Sequence, residues 1–372
     1  MNLLNKIANL LFEQIGGLFL KSATKLGADK RVLLVKDDAF GDFLLFTGAL
    51  KFYQSHYGKE NVFLLVIDRI ADVAQLYISA ENLLVFQPNR FENDIFYKIK
   101  FLNSIRTIGF DTVIASTHRS SNCNKLVKLI AAKNNYGYEK EQIFSSRRIN
   151  YYNHQVKSYD KVSPSKDPHS YNHVIEHEAY FLSQVVNVPS ILSDEILPFI
   201  PTDGFQKKVV ASYFVLLPEA GDMIRAYPIE KLAEVMKTLC RRYGMTCVVL
   251  GTGKGYDFKV FESDNSILLL GKTSLSEALT YIHFAQFTLG NETGLTHASW
   301  ILHVPTIMIY GGGHFGRFLP LNDFCTLVTH KMDCYCCNWS CKFDNPIVPC
   351  VSKITKDEIL IAVDELGFPL LK

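Results

Sequence analysis

The sequence predicts an α/β protein of two tandem domains, each a parallel sheet covered by helices. Apolar runs of strand length alternate with segments of helical spacing, which is the signature of βαβ units. The alternation lapses at Pro198-Phe199-Ile200-Pro201-Thr202-Asp203-Gly204, a turn-rich linker, and then restarts. The length of 372 residues suits two domains at roughly 100–200 residues each. The expected organisation is an N-terminal segment 1–30, a first domain 31–200 and a second domain 205–372.

Along the first part, Leu3, Leu4, Ile7, Leu10, Leu11, Ile15, Leu18 and Phe19 recur at helical spacing, with Lys6, Glu13 and Gln14 elsewhere on the wheel. Lys21, Lys25, Lys30 and Arg31 follow. Two readings of this amphipathic helix are open: attachment to an anionic membrane surface, or packing on the second domain or a partner subunit. Glu13 and Gln14 interrupt any signal-peptide core, and no apolar run reaches the ~18 residues of a membrane span. Arg31–Lys36 then reads as a strand, Asp37–Asp42 as a turn, Phe43–Tyr57 as a helix and Val62–Ile67 as a strand. Asp111–Ala115 and Lys125–Ala132 continue as strand and helix. The polar stretch Asn150–Tyr171 reads as a long loop, and helical spacing returns at Val174–Val186.

In the second part, Tyr213–Leu217 is an expected strand and Pro228–Tyr243 a helix, with Pro228 suited to its first position. Strands are expected at Thr246–Leu250, Ser266–Leu270, Phe284–Leu289 and Thr306–Tyr310. Helices are expected at Ser274–Ala285 and Leu295–His303, the latter stopped by Val304-Pro305. Tandem α/β sheets of this kind place a ligand in the cleft between them.

Hydrophobic residues make up 48% of the chain and charged residues 20%, so large cores are expected and disorder is not. A net charge of +2 gives no global case for nucleic-acid binding. Nine cysteines without a signal peptide point to a reducing, cytoplasmic compartment, with Cys123, Cys240, Cys247 and Cys325 as buried thiols. The Asn-x-Ser/Thr sequons at Asn291 and Asn338 then carry no glycosylation meaning.

Gly290-Asn291-Glu292-Thr293-Gly294-Leu295-Thr296-His297 is the most informative segment. A small-residue turn from a parallel strand into a helix presents backbone N–H groups at the positive end of the helix dipole, where a phosphate or pyrophosphate binds well. Thr293 adds a hydroxyl, Gly294 allows close approach of a ligand, and His297 lies one turn on from Thr293. The competing reading is a helix cap followed by a satisfied histidine.

Asp42 follows Gly41 at the carboxyl end of the first strand, where ligands of open α/β sheets gather. There it is a candidate general base, the competing reading being a helix cap. Pro218–Pro228 places Arg225 near a helix start, where a guanidinium neutralises a leaving diphosphate or simply sits solvated on a loop. Gly311-Gly312-Gly313-His314-Phe315-Gly316 matches G-x-G-x-x-G in form. No helix is expected after it, so it reads as a flexible ligand-facing loop and not as a dinucleotide fingerprint. No P-loop motif occurs.

Taken in order, these pieces resemble glycosyltransferase family 9, the heptosyltransferases of lipopolysaccharide assembly, over roughly residues 31–360. The marks are the strand and Gly-Asp of Val32–Asp42, the Pro-x-Ala-Gly…basic-x-aromatic-Pro of Pro218–Pro228, and Glu292-Thr293-Gly294-Leu295-Thr296-His297 against a family Asp-Thr-Gly-x-x-His. Two departures are visible: Arg225 stands in place of a common lysine, and Glu292 in place of Asp.

The resemblance implies a GT-B fold, two Rossmann-like domains with sheets facing across a cleft, and an inverting transfer that needs no catalytic cofactor. It implies a nucleotide-diphospho-sugar donor, typically ADP-L-glycero-D-manno-heptose, and a glycan or glycolipid acceptor. Asp42 is then the base; Arg225, Thr293 and Gly294 hold the diphosphate with His297 nearby. Glu292 takes the donor-sugar position, and Lys272 and Thr273 the nucleotide region. His118 and Arg119 fall in the acceptor domain. The enzyme is expected in the cytoplasm; the membrane reading of residues 3–19 would place it on the cytoplasmic face of the inner membrane, and the packing reading would not. Two other functions fit the same architecture: a GT-B-shaped epimerase or hydrolase of a nucleotide sugar, and a non-catalytic glycan- or metal-binding relative.

Cys334, Cys337, Cys341 and Cys350 follow a C-x2-C-x3-C-x8-C spacing within segment 334–350, with Cys336 as the spare. Four thiolates so spaced suit a tetrahedral zinc or iron ion with no open ligand position, hence a structural one. Reduced thiols packing a loop are the alternative. Many members of the family carry a similar stretch, and autotransporter heptosyltransferases use one as an iron-binding finger.

Overall fold

The computed structural model describes residues 20–21, 30–117, 121–139, 152–343 and 347–370. The amphipathic segment at residues 3–19 and the pair His118 and Arg119 therefore lie outside the described residues. The chain divides into two compact units. One takes the chain up to Ala39, Phe46–Ser163 and Ile175–Leu197; the other takes Phe40–Leu45, Pro164–Val174 and Pro198–Lys372.

The first unit holds a six-stranded sheet of β1 (Val32–Lys36), β2 (Val62–Ile67), β3 (Leu83–Phe86), β4 (Thr112–Ala115), β5 (Asn134–Tyr138) and β6 (His154–Val156). Its order is β3-β2-β1-β4-β5-β6, parallel throughout. β1 and β2 are buried along their whole length, as uninterrupted apolar runs at the centre of a helix-covered parallel sheet must be. The second unit repeats the plan with β7 (Tyr213–Leu217), β8 (Thr246–Val249), β9 (Ser266–Leu268), β10 (Thr288–Asn291), β11 (Thr306–Ile309) and β12 (Cys325–Val328). Its order is β12-β11-β10-β7-β8-β9, again parallel. In each sheet the chain winds outward from one central strand and then restarts on its other side. The switch points are β1/β4 and β7/β10, and ligands of such sheets collect outside the carboxyl ends there.

Several expected elements move, each for an identifiable reason. The first helix runs Phe40–Tyr57, so Asp42 lies inside its first turn, where a carboxylate complements the helix dipole. The expected loop Asn150–Tyr171 contains β6 and a short helix, Tyr159–Val162. β6 is an edge strand with His154 and Gln155 exposed, so it carries no apolar run to read. The strand expected at Phe284–Leu289 is instead Thr288–Asn291. Phe284 caps the preceding helix Leu275–His283, and Phe287 is apolar because it stacks on Phe214 with ring centroids 4.8 Å apart. Pro228 is the N-cap of the helix Ile229–Tyr243, one residue before its expected place. Among the described residues no helix is long and apolar enough to cross a membrane.

The helix Phe40–Tyr57 packs tightly on the end of the first unit. A Cβ at Gly48 would collide with the carbonyl of Ile196 and lie 2.5 Å from that of Leu197. Both obstacles are backbone atoms, so relief requires a shift of the helix. Gly48→Ala is therefore expected to destabilise the fold by roughly 1–3 kcal/mol, the usual cost of overpacking. A thermal melt checks this; an unchanged midpoint would mean that the helix is free to slide.

Candidate functional site

The second unit's switch point is organised by Asn291, the last residue of β10 and fully buried. Its side-chain Nδ2 donates to the Pro218 carbonyl at 2.6 Å, and its Oδ1 accepts from the Tyr227 N–H at 2.9 Å. One carboxamide thus closes the loop from Pro218 to Tyr227 and holds it beside the end of β10. Within that loop Asp222 accepts from the Ile224 N–H and caps a single turn, Met223–Arg225. Arg225 is delivered to the neighbourhood of Glu292 as a result: its Nη1 lies 3.7 Å from Glu292 Oε2. A Cβ on Gly221 would stand 2.6 Å from Arg225 Nη2, so a side chain there would displace the guanidinium from its present place.

Glu292 also faces His297, with Oε1 3.6 Å from Nε2. His297 is buried on the helix Gly294–Ile301, and Trp300, one turn further, donates its indole N–H to His297 Nδ1 at 3.1 Å. An indole nitrogen only donates, so Nδ1 must be the acceptor and the neutral ring carries its proton on Nε2, toward Glu292. Thr293 is the N-cap, its hydroxyl accepting from the Thr296 N–H at 3.4 Å. Thr296 in turn donates to the Asn291 carbonyl at 2.6 Å.

Three expectations about this edge change. Gly290 and Asn291 belong to the strand, which leaves Glu292 and Thr293 as the turn. Gly294 does not keep space open for a ligand: a Cβ there would meet Phe40 Cδ1 at 2.7 Å and the Gly41 nitrogen at 2.9 Å, both of the same unit. The Gly311–Gly313 run is not an open loop either. Cβ atoms at Gly312 and Gly313 would collide with the rings of Tyr335 and Trp339, and one at Gly311 would lie 2.7 Å from Trp339 Cη2. Backbone bonds from Cys336 N–H to Gly312 O at 2.8 Å and from Asn338 N–H to Gly313 O at 2.9 Å complete this junction.

Lys272 and Thr273 occupy the loop after β9, at the same sheet edge, with Lys272 Nζ donating to the Leu268 carbonyl at 3.1 Å. That edge is stitched laterally. Glu219 accepts from the N–H groups of Thr252 and Gly253, both at 2.7 Å, and Gly271 N–H donates to Gly251 O at 2.8 Å.

Cys334, Cys337, Cys341 and Cys350 all line one small cavity, with Tyr335 and Trp339, of about 10 Å³. That is on the order of the space one water or ion needs. Burial raises the Cys350 thiol pKa, and the other three thiols raise it further. Cys336 lies apart and donates to the Phe315 carbonyl. Among the described residues no group of three His, Cys, Asp or Glu is arranged to hold a metal ion, so the four sulfurs share the cavity without already forming a ligand set. The donor chemistry and the room fit a tetrahedral ion; the present placement of the sulfurs does not yet form one ion's ligand set.

In the first unit the switch point carries a polar cluster that sequence reasoning missed. Lys36, at the end of β1, is buried and pairs with Asp38 at 2.6 Å; Thr117, just after β4, donates to the same Asp38 oxygen at 3.0 Å. Glu178, from the helix Val174–Val186, is buried nearby, and its Oε1 has no hydrogen-bond partner among the described residues. Desolvation lifts its pKa to about 7 against the opposing pull of Lys36 and Ser116. An Asp or Glu on a helical apolar face gives no sequence cue to such burial.

Comparison with known proteins bears on both units. The family model described as glycosyltransferase family 9 (heptosyltransferase) matches residues 99–345. A lipopolysaccharide heptosyltransferase 1 of Campylobacter coli is 23% identical over 256 residues, covering 65% of this chain and 72% of its own. The E. coli heptosyltransferase WaaC with ADP-2-deoxy-2-fluoro heptose superposes with a TM-score of 0.61 at 18% identity, over 90% of this chain and 99% of that one. The iron-containing dodecameric glycosyltransferase TibC of enterotoxigenic E. coli gives 0.54 at 14%, over 92% and 77%.

The two Rossmann-ordered sheets are thus those of a GT-B transferase. The chain belongs to glycosyltransferase family 9 and is a glycosyltransferase of the heptosyltransferase type.

The Glu178 environment has a sign that can be tested. Its folded pKa of about 7 exceeds the ordinary 4.5, so the favourable protonated state is fully populated below about pH 4.5 and lost as pH rises through 7. Its contribution should fall by on the order of 3 kcal/mol across that window. Urea unfolding from pH 4.5 to 8 should show a slope that Glu178→Gln flattens; equal slopes in the two proteins would refute the assignment.

Proposed function

We propose that this glycosyltransferase moves a heptose from ADP-heptose to a hydroxyl of a lipopolysaccharide-type or related glycan, with inversion. The observation that carries the proposal is the convergence of Arg225, Glu292 and His297 at the β7/β10 switch point, where the helix Gly294–Ile301 begins. A guanidinium beside the positive end of a helix stabilises the charge that develops on a departing diphosphate. Glu292 and the Nε2–H of His297 supply an acceptor and a donor for sugar hydroxyls.

The acceptor oxygen attacks the anomeric carbon as the bond to the diphosphate breaks. Its proton passes to Asp42, in the first turn of the helix Phe40–Tyr57 at the carboxyl end of β1. The products are the glycoside and ADP. The family resemblance supports Asp42 in this role and a transfer without a catalytic cofactor. Lys272 and Thr273 are assigned to the nucleotide, and His118 and Arg119 to the acceptor. Asp42→Asn should retain ADP binding within about threefold and lose at least about 100-fold in transfer, the typical worth of a general base. Calorimetry and a coupled ADP-release assay separate the two; an active variant would remove Asp42 as the base.

The cavity among Cys334, Cys337, Cys341 and Cys350 is proposed to hold one structural zinc or iron ion after its thiols turn inward. The iron-containing relative supports this, as does the gathering of four sulfur donors around one ion-sized space. Protein purified without chelator should carry about one equivalent of zinc or iron by elemental analysis. Cys334→Ser with Cys341→Ser should reduce it to background; metal-free wild-type protein with unchanged thermal stability would refute the site.

A further inference from the structure

We infer that Trp339 is a positioning residue for Arg225, so that the cysteine loop is a working part of the donor site; the inference rests on Arg225 facing the donor diphosphate. The Arg225 guanidinium carbon lies 5.2 Å from the centroid of the Trp339 indole, within the range of a cation–π contact. Arg225 therefore has two neighbours that fix it: the Glu292 carboxylate at 3.7 Å and the indole. At that distance the carboxylate does not form a closed hydrogen-bonded pair, so the ring is needed to define where the guanidinium points.

The indole itself is locked. Its Nε1–H donates to His314 Nδ1 at 3.2 Å, and His314 Nε2 pairs with Asn338 Oδ1 at 2.8 Å. Both bonds require the neutral ring with its proton on Nε2, and burial lowers the His314 pKa in the direction that keeps it neutral. The indole rests on Gly311 and Gly313, where any Cβ would displace it. Asn338 and Trp339 hold φ values of 51° and 60°, a left-handed backbone that non-glycine residues adopt only when their surroundings impose it. A side chain that merely filled the core would not need an exposed Asn, a histidine tautomer and two left-handed residues to orient it.

Trp339 also lines the cavity of Cys334, Cys337, Cys341 and Cys350. The connection is short and contiguous: thiol cavity, indole, guanidinium. Whatever alters the packing of the four thiols reaches Arg225 through one ring.

A double-mutant cycle on the full-length protein, with ADP as the probe in calorimetry, tests the inference. Trp339→Ala should weaken ADP binding about 2- to 30-fold, the range a guanidinium–aromatic contact supplies. Trp339→Phe, which keeps an aromatic face, should stay within about threefold of wild type. In the Arg225→Ala background, Trp339→Ala should cause no further loss. Additive losses in the double variant would overturn the inference and leave the donor assignment standing. An Arg225→Ala protein that binds ADP like wild type would overturn both. Thermal melts of each variant, and the Phe variant in particular, separate these results from failure to fold.

Discussion

The carboxamide of Asn291 bridges the Pro218 carbonyl and the Tyr227 N–H, and the second unit's site depends on that bridge. Both partners are backbone groups beside a fully buried side chain, so losing either bond leaves an unsatisfied polar group at a cost of about 1–3 kcal/mol. The amide does both jobs through two separate atoms, a donor nitrogen and an acceptor oxygen. An aspartate has nothing to donate to Pro218, and an aliphatic chain satisfies neither end. The bridge spans the two ends of the loop that carries Arg225, and that loop has no strand or long helix of its own to define it. A single polar residue at the end of β10 thereby converts a flexible connection into a fixed support for a cation.

Fixing the backbone leaves the charges to be balanced, and the balance is loose by design of distance. Glu292 stands between Arg225 at 3.7 Å and His297 at 3.6 Å, outside hydrogen-bonding range of either. A tight bidentate pair would use up the guanidinium donors; this arrangement keeps their direction without consuming them. The extra methylene of glutamate relative to aspartate lets one carboxylate reach toward both basic groups. His297 meanwhile is held as an Nε2–H donor by Trp300, so the pocket offers a defined donor beside a defined acceptor.

How much of this was legible in the sequence differs by residue. The strands β1, β2, β7 and β8 are apolar runs buried by parallel neighbours, and their periodicity carries them. β6 is an edge strand with two of three residues exposed, so no such signal exists. Arg225, Glu292 and His297 were found through the order of short motifs, and the structure does bring them together. Asn291 was seen as part of a turn and of a sequon but given no bridging role, because its partners are backbone atoms 64 and 73 residues away that leave no pattern in composition. Glu178 on its helix, and the pair of Lys36 at the end of β1 with Asp38 in the turn after it, were invisible for a related reason: a charged residue reads as solvated until tertiary packing buries it. The glycine run at Gly311–Gly313 was misread as open, since glycine is equally the residue of a mobile loop and of a seat for an aromatic ring.

The lateral stitching of the second sheet also decides where negative charge can be received along its edge. The N–H groups of Thr252 and Gly253, after β8, form a small anion-binding concavity of the kind that would otherwise cradle a phosphate. They are already bonded to Glu219, whose carboxylate lies at 2.7 Å from each. An anion approaching the β8 loop therefore meets a competing carboxylate that is covalently attached and correctly placed. One strand over, at the β7/β10 switch point, it meets Arg225 and the start of the helix Gly294–Ile301. The same residue that steadies the β8 loop thus lowers its appeal to an anion, and on the reading proposed above Coulombic preference favours a diphosphate at Arg225 over that loop. Glu219 sits one residue after Pro218, the carbonyl that Asn291 holds, so the device that presents the cation also anchors the carboxylate that excludes the alternative.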